Sequence, residues 1–525
     1  MEIDIKEHWG IDLKEEKEFK SPNPLNNNIY YMVNGKYFLK TDDICRLKLR
    51  ERELQILKQL SAKDVPVLIP KKGKIVTFGS KIYWLYDLLD KGDIDYKKDF
   101  LKAENITYEL AKLSKININL EEEVLTDSLC KIEQTLIKRK SKNNIISKCL
   151  GYLNKNFFPF LSYYNFCLSH GDFHQDNILL KENSVNAIID WELVKKREEL
   201  YDLAMLIGCV GIIDPTELLG DWVKTLIKSY SLKSKSNKLA FTLLPEMVLS
   251  LRLKWMYKWY ICGEDEAVID MESSLLELIF ENIERIRKLW LSYLDTDFKH
   301  SKSKWVMQDA FLIEEINKAK ENVKSIDNIS FDNFKDKEKL SMNLRMLGID
   351  KGMKDDLLGV LKIRNLIMKL SNDYPDNKHI MIEMFITMGN SCLDFSKFRL
   401  VDAIENTIKI AQKIRNAKDI PELDIGYSFM LRNASIAFAE TGELDKMKRI
   451  VDTLIELNDK SGDINVKEEL ARALSNAITS LLPENVEKAR KYFRMLEDIY
   501  LGGKDSKKIN GAYQIAKVNL NKLLN

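Results

Sequence analysis

The chain has 525 residues, 45% of them apolar, and 82 Lys and Arg against 80 Asp and Glu leave a net charge of only +2. That length exceeds one ordinary core and implies about two or three domains, while the charge balance gives no global attraction for nucleic acid or an anionic membrane. The seven cysteines, Cys45, Cys130, Cys149, Cys167, Cys209, Cys262 and Cys392, stand singly, which fits reduced thiols better than a disulfide framework or a zinc site. The N-terminal MEIDIKEHWG is too charged for a secretory signal, and the longest apolar run, Leu203–Ile213, is about half of what crosses a bilayer. The expectation is a soluble cytoplasmic protein with neither a membrane nor a nucleic-acid partner. The basic runs Lys138–Lys142 and Lys233–Lys238 read as solvated helix ends or loops.

In chain order, Asn28–Val33 and Lys36–Lys40 are β-rich runs around Asn34-Gly35, which predicts a hairpin. Leu47, Leu54, Leu57 and Leu60 mark a helix over Asp43–Leu60. Strands over Gly73–Phe78 and Ile82–Tyr86 turn at Gly79-Ser80. The order β-β-α-β-β is what a small ATP-clamping lobe requires, and residues 1–95 are assigned to it. Residues 96–298 form a mainly helical lobe, interrupted by short strands at Phe166–Leu168, Ile178–Leu180 and Ala187–Ile189. Residues 299–375 are mixed and read as a helical linker region, with Asp327–Lys337 as linker. After Pro375, helix pairs fall at 378–395 with 399–415, 426–441 with 443–458, and 466–481 with 484–499, before a last helix from about Ser506. Ala403, Met447 and Ala489 hold comparable places, so the period is about 43 residues, and Gly442 suits a helix end. Residues 376–525 are therefore expected to form a helix-hairpin solenoid. They resemble tetratricopeptide-type repeats, with a period longer than the usual ~34.

Phosphoryl transfer from a nucleotide is mostly positioning and charge neutralisation. It needs a carboxylate for the acceptor's proton, hard oxygens for magnesium, and a cation on the phosphates. In HGDFHQDN, His170–Asn177, the residues Asp172 and Asn177 have the D-x-x-x-x-N spacing of a kinase catalytic loop. Asp190 ends an apolar strand, and the intervening NILLKENSVNAIID reads as a hairpin that returns Asp190 to Asn177. Lys40 ends a strand and Glu53 lies in the next helix, the arrangement for a phosphate-holding lysine and its acidic partner. His170 and His174 lack a third ligand for zinc. No GxxxxGK[ST] occurs.

HGDFHQDNILL, then IIDWE, then YDLA resembles the aminoglycoside phosphotransferase and choline kinase superfamily over about residues 20–295. The resemblance implies a bilobal, protein-kinase-like α+β domain, followed here by the all-α repeats. It implies ATP and Mg2+ as cofactors, with Asp172 as catalytic base and Asn177 and Asp190 as metal ligands. Lys40 would meet the α- and β-phosphates with Glu53 holding it, and the backbone of Tyr86, Asp87 and Leu88 would meet the adenine. His170 and Asp202 would brace the loop. This sequence departs from the family at Ser21–Asn28 (SPNPLNNN), which has no glycine where a phosphate-covering loop commonly has one.

The implied activity is transfer of the γ-phosphoryl group to an alcohol group of a small molecule. Two other readings are a protein-directed kinase and a pseudokinase scaffold, each using residues 376–525 to hold a protein partner. Trp255, Tyr257, Trp259 and Tyr260 could line an acceptor pocket, although aromatic residues on a helix are more often core. Glu264–Glu266 would suit a cationic acceptor or a solvated loop equally.

Overall fold

Asn34 and Gly35 both take positive φ, 52° and 62°, as a tight two-residue hairpin turn requires. They join β2 (Ile29–Val33) to β3 (Tyr37–Asp43). The computed structural model describes residues 3–20, 29–125, 144–234, 236, 238–262, 266–294, 310–327, 329–418, 420–503 and 505–524. Ser21–Asn28, Lys138–Lys142, Cys130 and most of Glu264–Glu266 lie outside these residues. Contacts divide the chain into two compact units, Met1–Phe298 and Lys299–Asn525.

The first unit begins with α1 (Ile5–Trp9) and β1 (Glu16–Lys20). After β2 and β3 come α2 (Leu47–Ser61), β4 (Val76–Phe78) and β5 (Lys81–Asp87). The five strands form one antiparallel sheet in the order β1-β2-β3-β5-β4. Period-two alternation sends Val33, Leu39, Tyr83 and Leu85 to a core capped by Ile5 and Trp9 of α1. Ile82, Trp84 and Tyr86 point to the other face, against Leu47 of α2 and Leu68. The expected β-β-α-β-β order thus lacks two elements. β1 reads EKEFK, with a single apolar residue, so no alternation marks it; its backbone pairing with β2 makes it a strand.

The helical part of the first unit contains α3 (Phe100–Leu113) and α4 (Asn144–Asn156). Then come β6 (Phe166–Ser169), β7 (Ile178–Lys181), β8 (Ser184–Ile188) and β9 (Lys195–Glu198). β9 reads KKRE and was invisible to periodicity; its ladder with β6 fixes it, Phe166 opposite Glu198. The unit continues with α5 (Tyr201–Ile213), α6 (Asp221–Lys233), α7 (Lys238–Thr242), α8 (Leu244–Cys262), α9 (Glu266–Glu281) and α10 (Ile283–Ser292). The apolar run Leu203–Ile213 lies in α5, where Leu203, Ala204, Leu206, Ile207 and Val210 are fully buried. A helix apolar on every side belongs in a core, and this one does not span a membrane. Among the described residues no helix is long and apolar enough to cross one. Cys45, Cys149, Cys167, Cys209 and Cys392 are free thiols.

The second unit is all-α. After α11 (Ala310–Asn322) come four helix pairs: α12 (Lys337–Met353) with α13 (Leu357–Asp373), α14 (Lys378–Lys397) with α15 (Val401–Ala417), α16 (Leu423–Glu440) with α17 (Leu444–Ser461), and α18 (Ile464–Leu481) with α19 (Val486–Leu501). α20 (Lys507–Leu524) ends the row. The pairs therefore begin within the segment read as mixed. Gly348 and Gly352 sit inside α12 and weaken its helical signal in the sequence. The first helices of successive pairs pack on one another. A Cβ on Gly389 of α14 would lie 2.9 Å from Met430 Cα of α16, so glycine permits that close approach. The protein is thus α+β in its first unit and a helical-hairpin array in its second.

Candidate active site

Asp172, Asn177 and Asp190 meet because β7 and β8 form a hairpin, with Ile178 opposite Ile188. The Ile189 N–H donates to the Asn177 carbonyl at 3.0 Å, which closes the hairpin beneath the loop. Asn177 Nδ2 donates to the Asp172 carbonyl at 2.9 Å and approaches His174 Nε2 at 3.2 Å. With its amide nitrogen so used, the Asn177 side chain keeps its oxygen as the atom suited to a hard cation. Oδ1 of Asp172 is buried without a hydrogen-bond partner among the described residues, an atom with acceptor capacity left over.

Asp202, in the first turn of α5, gathers the loop from below. Its carboxylate accepts from Ser169 Oγ at 2.8 Å, from the His170 N–H at 2.7 Å and from the Gly171 N–H at 2.9 Å. Gly171 takes φ +87°, and a Cβ there would lie 2.5 Å from Arg197 Nη1 and 2.6 Å from the Leu193 carbonyl. His170 is fully buried, 4.6 Å between ring centroids from Trp191. Its Nδ1 accepts from the Asp172 N–H at 3.3 Å, and its Nε2 pairs with the Ile189 carbonyl at 2.8 Å. That network assigns the neutral tautomer protonated on Nε2. Burial, opposed by Asp202 and the Ile189 carbonyl, holds the imidazole below its ordinary pKa, which agrees.

Asp190 has φ 62° and ψ 58°, an uncommon backbone for an aspartate, and forms an ion pair with Lys40. Burial would by itself depress the Lys40 ammonium, but the attraction of Asp190 and Tyr86 outweighs it and raises the pKa. Burial works the other way on Asp190, and Lys40 outweighs it, so this carboxylate stays ionised below the usual range. Lys40 and Phe38 share one face of β3, so both reach the cleft between the lobes. The cleft encloses about 200 Å3. Phe38, Leu57, Leu68, Leu179 and Ile189 give it apolar walls, and Lys40, Glu53, Asp87 and Asp190 add charged groups to its lining.

One expected pairing is corrected. Glu53 does not hold Lys40; it accepts from Arg50 Nη1 at 2.8 Å, one helical turn away on α2. Arg50 also donates to Asp42 at 2.8 Å and reaches Glu192 at 2.8 Å, with its guanidinium 5.3 Å from the Trp84 ring centroid. Arg46 joins at 3.2 Å from Glu192. This network ties α2 to the residue two past Asp190. Sequence reasoning missed it, although the i,i+3 spacing of Arg50 and Glu53 was a readable signal.

Of the three residues expected to meet the adenine, Tyr86 is buried and Asp87 and Leu88 are exposed, and all three line the cleft. The Leu88 N–H is taken by the Lys36 carbonyl at 2.8 Å. Bonded and non-bonded positions alternate in an antiparallel ladder, so the backbone of Asp87, opposite Tyr37, faces away from β3. Leu89, not anticipated, also lines the cleft.

Among the described residues no group of three or more His, Cys, Asp or Glu side chains is arranged for a metal. Magnesium does not need one: it takes one or two protein oxygens and fills its octahedron with water and substrate phosphate. The side-chain oxygen of Asn177 and the ionised carboxylate of Asp190 are donors of the kind that requirement names.

Residues 146–233 match the model of a family described as "Phosphotransferase enzyme family". No curated protein matches the sequence. Among solved structures, the chain is similar to the GDP complex of wild-type aminoglycoside 2'-phosphotransferase-IIIa, at 15% identity and TM-score 0.41, over 53% of this chain and 96% of that one. It is also similar to a choline/ethanolamine kinase family protein from Mesorhizobium loti, at 12% and 0.41, over 56% and 95%. A third is spectinomycin phosphotransferase with ADP and spectinomycin, at 13% and 0.37, over 55% and 96%.

Proposed function

We propose that this chain, whose first unit carries a phosphotransferase-family segment, is a cytoplasmic ATP- and magnesium-dependent kinase that phosphorylates a hydroxyl of a small molecule. The observation that carries this reading is the Lys40–Asp190 ion pair lining the cleft, with Asp190 returned by the β7–β8 hairpin to the loop that holds Asp172 and Asn177. Asp172 orients the acceptor hydroxyl and receives its proton, the part for which an unpartnered carboxylate oxygen is suited. Lys40, held by Asp190, steadies the phosphates. The Asp87 carbonyl and the Leu89 N–H meet the edge of the adenine, while Leu57 and Leu179 cover its faces. Asn177 and Asp190 would hold magnesium, which would supply charge neutralisation on the phosphates. Asp202 and His170 hold the loop rigid.

The surroundings of Asp172 bear on the acceptor. Lys254 and Lys258 lie one turn apart on α8, Lys258 at 4.2 Å over the Trp255 ring centroid, and the Asp172 carboxylate is among the charges acting on Lys258. Glu123 faces three cations: Arg197 at 2.7 Å, Lys254 at 3.4 Å and Lys195 at 3.5 Å. Burial would raise the Glu123 pKa, but Arg197, Lys254 and Lys195 hold it down to about 2. Arg197, Lys195, Lys254 and Lys258 together outnumber Glu123, Glu198 and Asp172 by one charge, while burial lowers the pKa of both α8 lysines. This balance favours a hydroxylated acceptor that also carries a carboxylate or phosphate over a polycationic aminoglycoside. The test is an ADP-release screen of the purified protein against hydroxy acids, sugar phosphates, amino alcohols and aminoglycosides. Turnover with anionic alcohols supports the reading. Turnover with aminoglycosides alone overturns the acceptor class, and no nucleotide-dependent thermal shift overturns the kinase.

A further inference from the structure

Gln175–Asn177 is a short 3₁₀ turn, closed by the Asn177 N–H on the His174 carbonyl at 3.0 Å. Such a turn brings side chains three residues apart onto one side, so His174 and Asn177 stand together. His174 Nε2 lies 3.2 Å from Asn177 Nδ2 and 3.7 Å from Asp172 Oδ2. Across the ring, Nδ1 lies 3.6 Å from Asp176 Oδ2 and 3.3 Å from the Asp176 backbone nitrogen. Asp176 in turn is ion-paired with Lys91. The imidazole thus stands between the proposed base, a proposed metal ligand and a carboxylate that is itself held.

We propose that His174 is a positioning residue for the metal: its Nε2 accepts the second amide hydrogen of Asn177 and so leaves only the carboxamide oxygen for magnesium. This rests on the reading of Asn177 as a metal ligand.

A carboxamide keeps nearly the same shape after a half-turn of its terminal torsion, with oxygen and nitrogen exchanged. Magnesium takes the oxygen and not the nitrogen, so an asparagine ligand binds well only where that half-turn is disfavoured beforehand. The Asp172 carbonyl accepts one amide hydrogen at 2.9 Å, and the turned carboxamide would set oxygen against oxygen there. The second hydrogen needs its own acceptor, and Nε2 is one when the ring proton sits on Nδ1. The two neighbours of Nδ1 pull in opposite directions. The Asp176 N–H favours a bare Nδ1, and the Asp176 carboxylate favours a protonated one. A bare Nδ1 would move the proton to Nε2, facing the Asn177 amide nitrogen at 3.2 Å, donor against donor. Turning the carboxamide to relieve that contact would press its oxygen onto the Asp172 carbonyl. The tautomer protonated on Nδ1 avoids both clashes. Asp176 therefore orients His174, and His174 orients Asn177, as groups behind a metal ligand commonly do.

The experiment uses the full-length protein with ADP and Mn2+, a stand-in for magnesium whose free form is counted by electron paramagnetic resonance. The wild type should bind Mn2+ saturably in the presence of ADP. His174→Ala should weaken that binding about tenfold and leave metal-free ADP affinity within about twofold. His174→Gln, whose Oε1 can accept where Nε2 did, should recover Mn2+ affinity to within about threefold of wild type. An aspartate at 177 has two equivalent oxygens and no orientation to choose. In an Asn177→Asp background, adding His174→Ala should therefore change Mn2+ affinity by less than about twofold. Undiminished Mn2+ affinity in His174→Ala overturns the proposal, as does an equal loss in the Asn177→Asp background. A parallel fall in metal-free ADP affinity would put His174 on the phosphates and overturns it too. A wild type that binds no Mn2+ with ADP overturns the metal reading itself, and this proposal with it. Asp172 lies beside His174, so turnover would mix two effects, and metal binding separates them.

Discussion

In the first unit the groups that meet come from far apart: Lys40 and Asp190 are 150 residues apart in the chain. In the second unit, Asn390 and Asn433 come from equal positions of successive hairpins. The first arrangement depends on two left-handed backbone positions beside the site, Gly171 at φ +87° and Asp190 at φ 62°. The second is repeated, so each position contributes a share. A site assembled from distant parts concentrates its fragility in single positions, whereas a packing contact repeated from hairpin to hairpin spreads it over several.

The sharpest way to break this contrast is Asp172→Asn, which removes the proton acceptor and keeps the shape. Turnover should fall by about 10²–10⁴-fold, while the thermal shift with ATP and magnesium persists. Retained turnover would remove Asp172 from the mechanism. Next in size is a pair of glycines. Gly171→Ala forces a positive φ and a Cβ into Arg197 and the Leu193 carbonyl, and should cost at least about 3 kcal/mol in unfolding of the first unit. Gly442→Ala in the second unit meets the same φ penalty, at +83°, with nothing within 4 Å, and should cost about 1–2 kcal/mol. Equal losses in urea titrations would erase the distinction between a packed loop and an open helix end.

The smallest effect is a pH slope. Burial holds His170 below its ordinary 6.5, so the unfolded chain takes up this proton before the folded one does. Its contribution is complete above pH 6.5 and is lost as pH falls toward the folded value, at up to about 1.4 kcal/mol per unit. His170→Gln should flatten that part of the stability profile, measured by denaturant unfolding between pH 7.5 and 5.5. An unchanged slope would show that another group titrates there.

The sequence by itself determined what is local. His170–Asn177 is contiguous, so its chemistry could be read in order, and the Asn34-Gly35 turn announces its hairpin through the backbone those two residues tolerate. The repeat was legible because its helices recur at a fixed spacing with strong apolar periodicity. Tertiary structure alone decided what depends on meeting at a distance. β1 and β9 carry too few apolar residues to show a period and exist through their ladders. Glu53 was read as the partner of Lys40, yet the competition among Arg50, Asp42 and Glu192 takes it elsewhere and leaves Lys40 to Asp190. Asn390 and Asn433 are visible in the sequence as a spacing, but only the packing of first helix on first helix brings their side chains together. Short-range steric and capping preferences are written residue by residue. Charge pairing and burial depend on which neighbours the fold supplies.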